Sequence, residues 1–163
     1  MENNSSTELE KLKELIEEVQ IAMLCTKYEN KLQARPMSTA KVDEDGSIWF
    51  FTNEYSCKAE QVEDDPEVCL AYSSPSKNSY VSVLGKAQLV DDKTRMEEFW
   101  NPAVKAWFPQ GLEDAKLVLL KVKPYQAEYW DSSSSKMVTL FNMLKAVVTG
   151  EKYDEGEHGK INL

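Results

Sequence analysis

The sequence predicts a mainly β protein, a small antiparallel barrel carrying peripheral helices. Three observations lead there. Short runs rich in aliphatic and aromatic residues recur along the chain, among them IAMLCTK (21–27), SIWFFT (47–52), EVCLAYS (67–73) and SYVSVLGKAQLV (79–90), each bounded by polar or Gly-containing turns. The first connections are only a few residues long, and such hairpins join antiparallel neighbours. Helical spacing of apolar residues is confined to the N-terminus and to segments inserted between later strands, and no internal repeat is present.

Taken in order, Ser5-Ser6-Thr7-Glu8 is expected to open a helix, with Thr7 and Glu10 in capping-box spacing and Leu9, Leu12, Ile16 and Val19 on one face. The first strand, 21–27, turns at Tyr28-Glu29-Asn30-Lys31 into a second, Leu32 to Val42. The acidic turn Asp43-Glu44-Asp45-Gly46 follows, where Gly46 supplies the positive φ, and then the aromatic third strand. A short helix, Ser56 to Asp64, stops before Pro66. Two strands flank the polar loop Ser73 to Asn78, and Asp92 caps a helix through Met96, Phe99 and Trp100 that Pro102 interrupts and Pro109-Gln110-Gly111 ends. Strands LVLLKVK (117–123) and YQAEYWD (125–131) are expected on either side of Pro124. The serine run 132–135 is a loop, Lys136 to Val148 a last amphipathic helix before Gly150, and 151–163 a polar tail. The whole chain, 1–163, is one domain, with residues 1–20 as its N-terminal helix.

Composition narrows the function classes. With 163 residues, 42% hydrophobic and 29% charged, the chain supports its own core and fits neither disordered nor fibrous composition. The formal net charge of −9 opposes nucleic-acid phosphates and anionic membranes. No apolar run approaches the ~20 residues needed to span a bilayer. The opening is charged where an export signal is apolar, and Cys25, Cys57 and Cys69 are scattered and odd in number, so free, mostly buried thiols in the cytoplasm are expected. The lone histidine, His158, lies in the polar tail, where a base cannot be held rigidly, and no zinc spacing, GxGxxG or P-loop occurs. Asp64-Asp65 and Asp91-Asp92 are read as solvated caps and turns. Hard chemistry, if any, falls to a cofactor.

One constellation stands out. Arg35 lies in a strand otherwise poor in charge, the next strand ends at Thr52, and Ser56 and Lys58 begin a helix, whose free amides and dipole attract anions. If the two strands pair through the 43–46 turn, two cations, two hydroxyls and a helix start converge as a phosphate site. The other reading of the same spacing is an exposed Arg and Lys beside a Ser N-cap.

These residues belong to a longer pattern: ARPM (34–37), DGSIWFFTN (45–53), Ser56 with Lys58, YVSVLGKAQLV (80–90), FWNPAVKAWFPQGLED (99–114) and AEYWDSSSSK (127–136). In that order they resemble the pyridoxamine 5′-phosphate oxidase-like FMN-binding split-barrel family, in its general stress protein branch, from about Ile21 onward. The resemblance implies a split barrel, a bound FMN and a homodimer that completes the flavin site between subunits. It implies phosphate contacts from Arg35, Ser56 and Lys58, a ring edged by Met37 and Ser38, and cofactor contacts from Phe51 and Thr52. Tyr80 falls where the oxidases place a flavin-contacting glutamine, and Trp130 resembles a tryptophan reaching the flavin across the dimer, with a barrel-core aromatic as its other reading. Trp100, Trp107 and Phe108 are interface or core anchors. Cys57 replaces a second phosphate-binding arginine, and SSSSKMVTLF after Trp130 lacks the Arg and His that those oxidases use on their B6 substrate. The expected function is therefore FMN-dependent two-electron redox chemistry other than B6 oxidation, with a nicotinamide nucleotide or other small redox partner. The alternatives are a flavin- or phospholigand-holding sensor or store, and a ligand-free dimeric interaction protein.

Overall fold

A computed structural model describes residues 2–131 and 157–163, apart from the side chains of residues 2–7, Cys57 and Glu157. Along the chain run α1 (Glu2–Val19), β1 (Ile21–Tyr28), β2 (Lys31–Val42), β3 (Ile48–Asn53), α2 (Cys57–Asp64), β4 (Glu67–Ser74), β5 (Ser79–Val90), α3 (Lys93–Phe99), α4 (Pro102–Trp107), β6 (Leu117–Asp131) and β7 (Glu157–Asn162). The strands hydrogen-bond in the order β3-β2-β1-β4-β5-β6-β7, all antiparallel, and β3 also pairs with β6. That extra pairing closes a six-stranded barrel and leaves β7 as an added strand. The barrel is the one the sequence predicts, and the described helices lie in the segments where helices are expected.

Local chemistry accounts for the turns. Glu29 and Asn30 both take positive φ, 48° and 61°, the two-residue hairpin turn that matches strand twist. Gly46 is at φ +81°, and Asp45 accepts from the Ser47 amide at 2.9 Å. Pro36, in the middle of β2, tolerates its missing N–H because β2 pairs with β3 only over Thr39–Val42, past an irregularity between Thr39 and Lys41. N-terminal to that point β1 alone pairs with β2, and Phe51–Asn53 of β3 pair only with β6. The two strands part there, and this is the split in the barrel wall.

The barrel interior is filled by Leu24, Ile48, Phe50, Leu70, Tyr72, Val83, Leu120 and Val122, with Leu12, Leu15 and Ile16 of α1 packed against them. The Tyr72 hydroxyl is within 2.8 Å of Thr39 Oγ1, and burial pushes its pKa well up. A second core lies outside the barrel, where Trp49, Phe51, Met96, Phe99, Leu117 and Leu119 join β3 and β6 to α3. β3 is therefore buried on both faces, which explains its unbroken apolar run.

Four expectations change. The first helix starts at Glu2, so Thr7 lies within it; once nucleated, a helix gains a hydrogen bond with each added residue. Residues 117–131 are one strand, since the register shift opposite Leu84/Gly85 leaves Tyr125 as the extra residue of a bulge next to Pro124. A Cβ on Gly85 would meet the Lys123 carbonyl oxygen at 2.8 Å, so glycine permits that close approach. The expected polar tail is strand β7 over Glu157–Asn162, anchored by Ile161, which is fully buried against the barrel core. Cys25 and Cys69 are half-buried, because the strand alternation turns both outward. The expected serine loop and the helix over 136–148 lie outside the described residues.

Candidate functional site

Where β2 and β3 part, a cavity of about 300 Å³ opens between the β2 edge, Phe51 and α4. Pro36, Met37, Ser38, Thr39 and Ala40 form one wall, and Asn101, Ala103, Val104, Trp107 and Phe108 form the other. Helix α4 is held across the slot by Asn101, whose Oδ1 accepts from the amides of Ala103 and Val104 at 3.0 and 3.3 Å, with Pro102 in the first turn. Trp100 and Phe108 clamp Phe51 from above, at ring-centroid distances of 5.6 and 6.5 Å, so both are core anchors. Trp107 is 76% exposed at the rim. The walls are predominantly apolar, and among the described residues Lys58 is the only ionisable side chain lining them.

Beside the slot, the start of α2 is polar. Ser56 is the N-cap of α2, its Oγ accepting from the Ala59 amide at 3.3 Å and lying 3.4 Å from the hydroxyl of fully buried Thr52. Lys58, two residues on from Ser56, lines the slot, whereas Thr52 and Ser56 lie at the helix start without lining it. Arg35 does not line the slot. Its Nη2 donates to Gln61 Oε1 at 2.6 Å, to Thr26 Oγ1 at 2.9 Å and to Gln33 Oε1 at 3.3 Å. Thr26 donates to the same Gln61 oxygen at 2.6 Å, and Gln61 Nε2 donates to Gln33 at 2.9 Å. Gln61 lies three residues after Lys58, the spacing that places both on one helix face. The network thus fastens Arg35 to α2 one turn beyond the helix start. Every recorded Arg35 bond ends at one of its three nitrogens, so the guanidinium is fixed in place by part of its fork.

Thr26, Gln33 and Gln61 were missed by sequence reasoning, though Thr26 left a signal, as did the strand edge beside them. Thr26 is a polar residue in the buried phase of β1, after Ala22 and Leu24, and Pro36 inside a long strand marks an unpaired edge. Gln61 carries no such mark, because a glutamine on a short helix is usually solvated.

Met37, Ser38 and Phe51 line the slot, while Tyr80 and Trp130 do not. The register sets Tyr80 opposite Trp130 and Trp130 opposite His158, a row across β5, β6 and β7. Tyr80 points outward, since its neighbours Ser79 and Val81 are buried, and in barrel order β5 is two strands from β3 and three from β2. His158, expected in a frayed tail, is stacked on Trp130 with ring centroids 5.0 Å apart and planes at 8°. Pairing with β6 is what orders it. The paired acids cap as expected: Asp92 accepts from the Arg95 amide at 3.1 Å and Asp65 from the Glu67 amide at 3.0 Å. No group of three metal-ligating side chains occurs among the described residues, and no helix among them is long and apolar enough to cross a membrane.

Comparison with known proteins fits this architecture. A protein of Jannaschia sp. CCS1 assigned to general stress protein 26 superposes with a TM-score of 0.78 at 26% identity, covering 96% of this chain and 99% of that one. General Stress Protein 26 of Bacillus anthracis str. Sterne gives a TM-score of 0.63 at 28% identity over 72% of this chain and 92% of that one. The general stress FMN/FAD binding protein of Xanthomonas citri gives 0.69 at 30% identity over 79% and 92%. Among curated proteins, Protein bli-3 of Neurospora crassa is 26% identical over 129 residues, 74% of this chain, which spans only 62% of that relative's length. The family model described as pyridoxamine 5′-phosphate oxidase like matches residues 7–154, and the chain belongs to that family.

Proposed function

We propose that the protein binds FMN in the slot between β2, β3 and α4 and uses it as a redox cofactor. The observation that carries the reading is the joining of an apolar slot, along an unpaired strand edge, to a cationic and hydroxyl-lined helix start. The fit is good on both counts. A cavity of about 300 Å³ lies within the range of small-ligand sites and suits a flat aromatic ring, and Lys58, Ser56, Thr52 and the α2 amides suit a phosphate. When bound, a flavin supplies reversible two-electron transfer. The protein holds the phosphate through Lys58 and the α2 start, with Arg35 adding positive charge behind it. Phe51 and Met37 exclude water from the ring, and the β2 edge offers main-chain groups to its polar side. The Xanthomonas citri relative, described as FMN/FAD binding, supports a flavin.

The active unit is a homodimer in this reading. In that dimer the Tyr80–Trp130–His158 row, which does not line its own slot, completes the partner's. A nicotinamide nucleotide or another small redox molecule delivers the electrons. B6 oxidation is not expected, given the residues that follow Trp130. A flavin-holding module without turnover is the second reading, favoured by there being a single ionisable side chain on the slot walls among the described residues. Anaerobic NADPH separates the two: bleaching of bound flavin supports turnover, and reduction by dithionite alone supports holding.

Parallel titrations with FMN and riboflavin test the site. Lys58→Ala is expected to weaken FMN binding by about 1.5–3 kcal/mol, roughly ten- to a hundredfold, and Arg35→Ala to weaken it less, because Arg35 adds charge from behind the slot. Riboflavin, which lacks the phosphate, is expected to bind both variants unchanged. Equal losses for both ligands in a stably folded variant would refute the phosphate assignment.

A further inference from the structure

We propose that Cys25 and Cys69 form a reversible dithiol–disulfide pair on the outer face of the barrel. β1 and β4 are antiparallel neighbours, and their register sets Cys25 directly opposite Cys69. Residues so placed have Cα atoms about 4.5 or 5.5 Å apart, depending on the type of pair, and both spacings fall within the ~4.4–6.8 Å that a disulfide spans. The side chains share one face, because their sequence neighbours Leu24, Thr26, Val68 and Leu70 all point into the buried side. Both thiols are half-exposed, within reach of a small oxidant. Their recorded contacts are long and weak, Cys25 Sγ to the Met23 carbonyl at 3.9 Å and Cys69 Sγ to Ser82 Oγ at 3.7 Å, so neither sulfur is locked away from the other.

The chemistry balances with a peroxide as oxidant. One thiolate attacks a peroxide oxygen, the O–O bond breaks, and a sulfenic acid and an alcohol or water form. The second thiol attacks the sulfenic sulfur, forming the S–S bond and releasing water. Two thiols lose two electrons and two protons, and one peroxide gains them. Burial and then the neighbouring Cys69 push the Cys25 thiol up, with Arg35 opposing, so Cys25 is mostly protonated at neutral pH and closure speeds up as pH rises. Opposed Cβ atoms across a sheet are about 4.5–5.5 Å apart, whereas a relaxed disulfide wants ~3.5–4.5 Å. Closure therefore draws the strands together, and the strained bond is readily reduced, which is the property of a switch rather than of a structural clamp. The proposal stands independently of any flavin.

The test treats the full, reduced chain with hydrogen peroxide at pH 7 and pH 9, alkylates the remaining thiols and maps the peptides. Two of the three thiols are expected to disappear, with Cys25 and Cys69 recovered as one linked peptide from a species that stays a single chain on a denaturing non-reducing gel. Dithiothreitol should restore both thiols, and closure should be faster at pH 9. Cys57→Ser should leave the linkage intact. In Cys69→Ser, Cys25 should stop at a sulfenic acid trapped by dimedone. Full alkylation of both cysteines after peroxide, a bond to Cys57, or a bond between two chains would each overturn the proposal. The wild-type mapping alone decides this if a variant fails to fold.

Discussion

The slot between β2 and α4 and the row Tyr80–Trp130–His158 are both aromatic, yet they are built in opposite ways. Phe51, at the slot, is a core residue, 7% exposed and clamped by Trp100 and Phe108. Tyr80, 36% exposed, stands on the outward side of β5, between the buried Ser79 and Val81. One region is shaped by the same packing that stabilises the fold, and the other is free of that duty. A change at the slot should therefore cost stability and binding together, while a change in the row should cost binding alone.

The largest expected effect tests this directly. Phe51→Ala should destabilise the protein by about 3–5 kcal/mol in denaturant unfolding, as large core truncations do, while Tyr80→Ala stays within about 0.5 kcal/mol. Similar costs for both would abolish the contrast. Next comes Gln61→Leu, which strips the acceptor shared by Thr26 and Arg35; one buried polar group left unpaired costs about 1–3 kcal/mol. Because the same oxygen orients Arg35, FMN affinity should fall in step, read by flavin fluorescence quenching.

Trp130→Ala sharpens the comparison further. It should weaken flavin binding by about 0.5–1.5 kcal/mol, the worth of an aromatic contact, with little change in unfolding. If the row serves the partner's slot, mixing Trp130→Ala with Lys58→Ala subunits should recover some wild-type-affinity sites. No recovery after subunit exchange would place row and slot in the same protomer. The smallest effect is at Asp45, whose carboxyl is held below 3.8 chiefly by the Ser47 amide bond. A carboxyl with a depressed folded pKa stabilises above its unfolded value and loses that contribution as pH falls through the folded one. Asp45→Asn should thus be slightly less stable than wild type at pH 7, and the gap should close below about pH 3.8 in acid unfolding.

Much of this fold is legible in the sequence because its signals are local. Glu29-Asn30 and Gly46 specify their turns, Ser56 and Asp92 their caps, and the apolar run at β3 its double burial. What escapes is non-local. Pro124 looks like a break because the bulge that accommodates it depends on Gly85 of another strand. Strand β7 looks like a polar tail because one of its faces is solvated and, among its described side chains, only Ile161 enters the core. At the site, the residue types around the phosphate end are legible, since charge and helix starts are local. Arg35's attachment to Gln61 is not, because it depends on how α2 lies across the end of the barrel.

Closure of the barrel by β3 and β6 pairs Ile48 with Val122, residues far apart along the chain. Such distant pairing is slow, because the intervening loop entropy must be overcome first. During synthesis β3 is complete long before β6 leaves the ribosome. Until then its segment IWFFTN exposes strand edges and large aromatics with no charge of its own, the signature of an aggregation-prone stretch. The acidic turn Asp43-Glu44-Asp45 lies two residues before it, so the nascent chain carries a like-charged guard where premature association would begin.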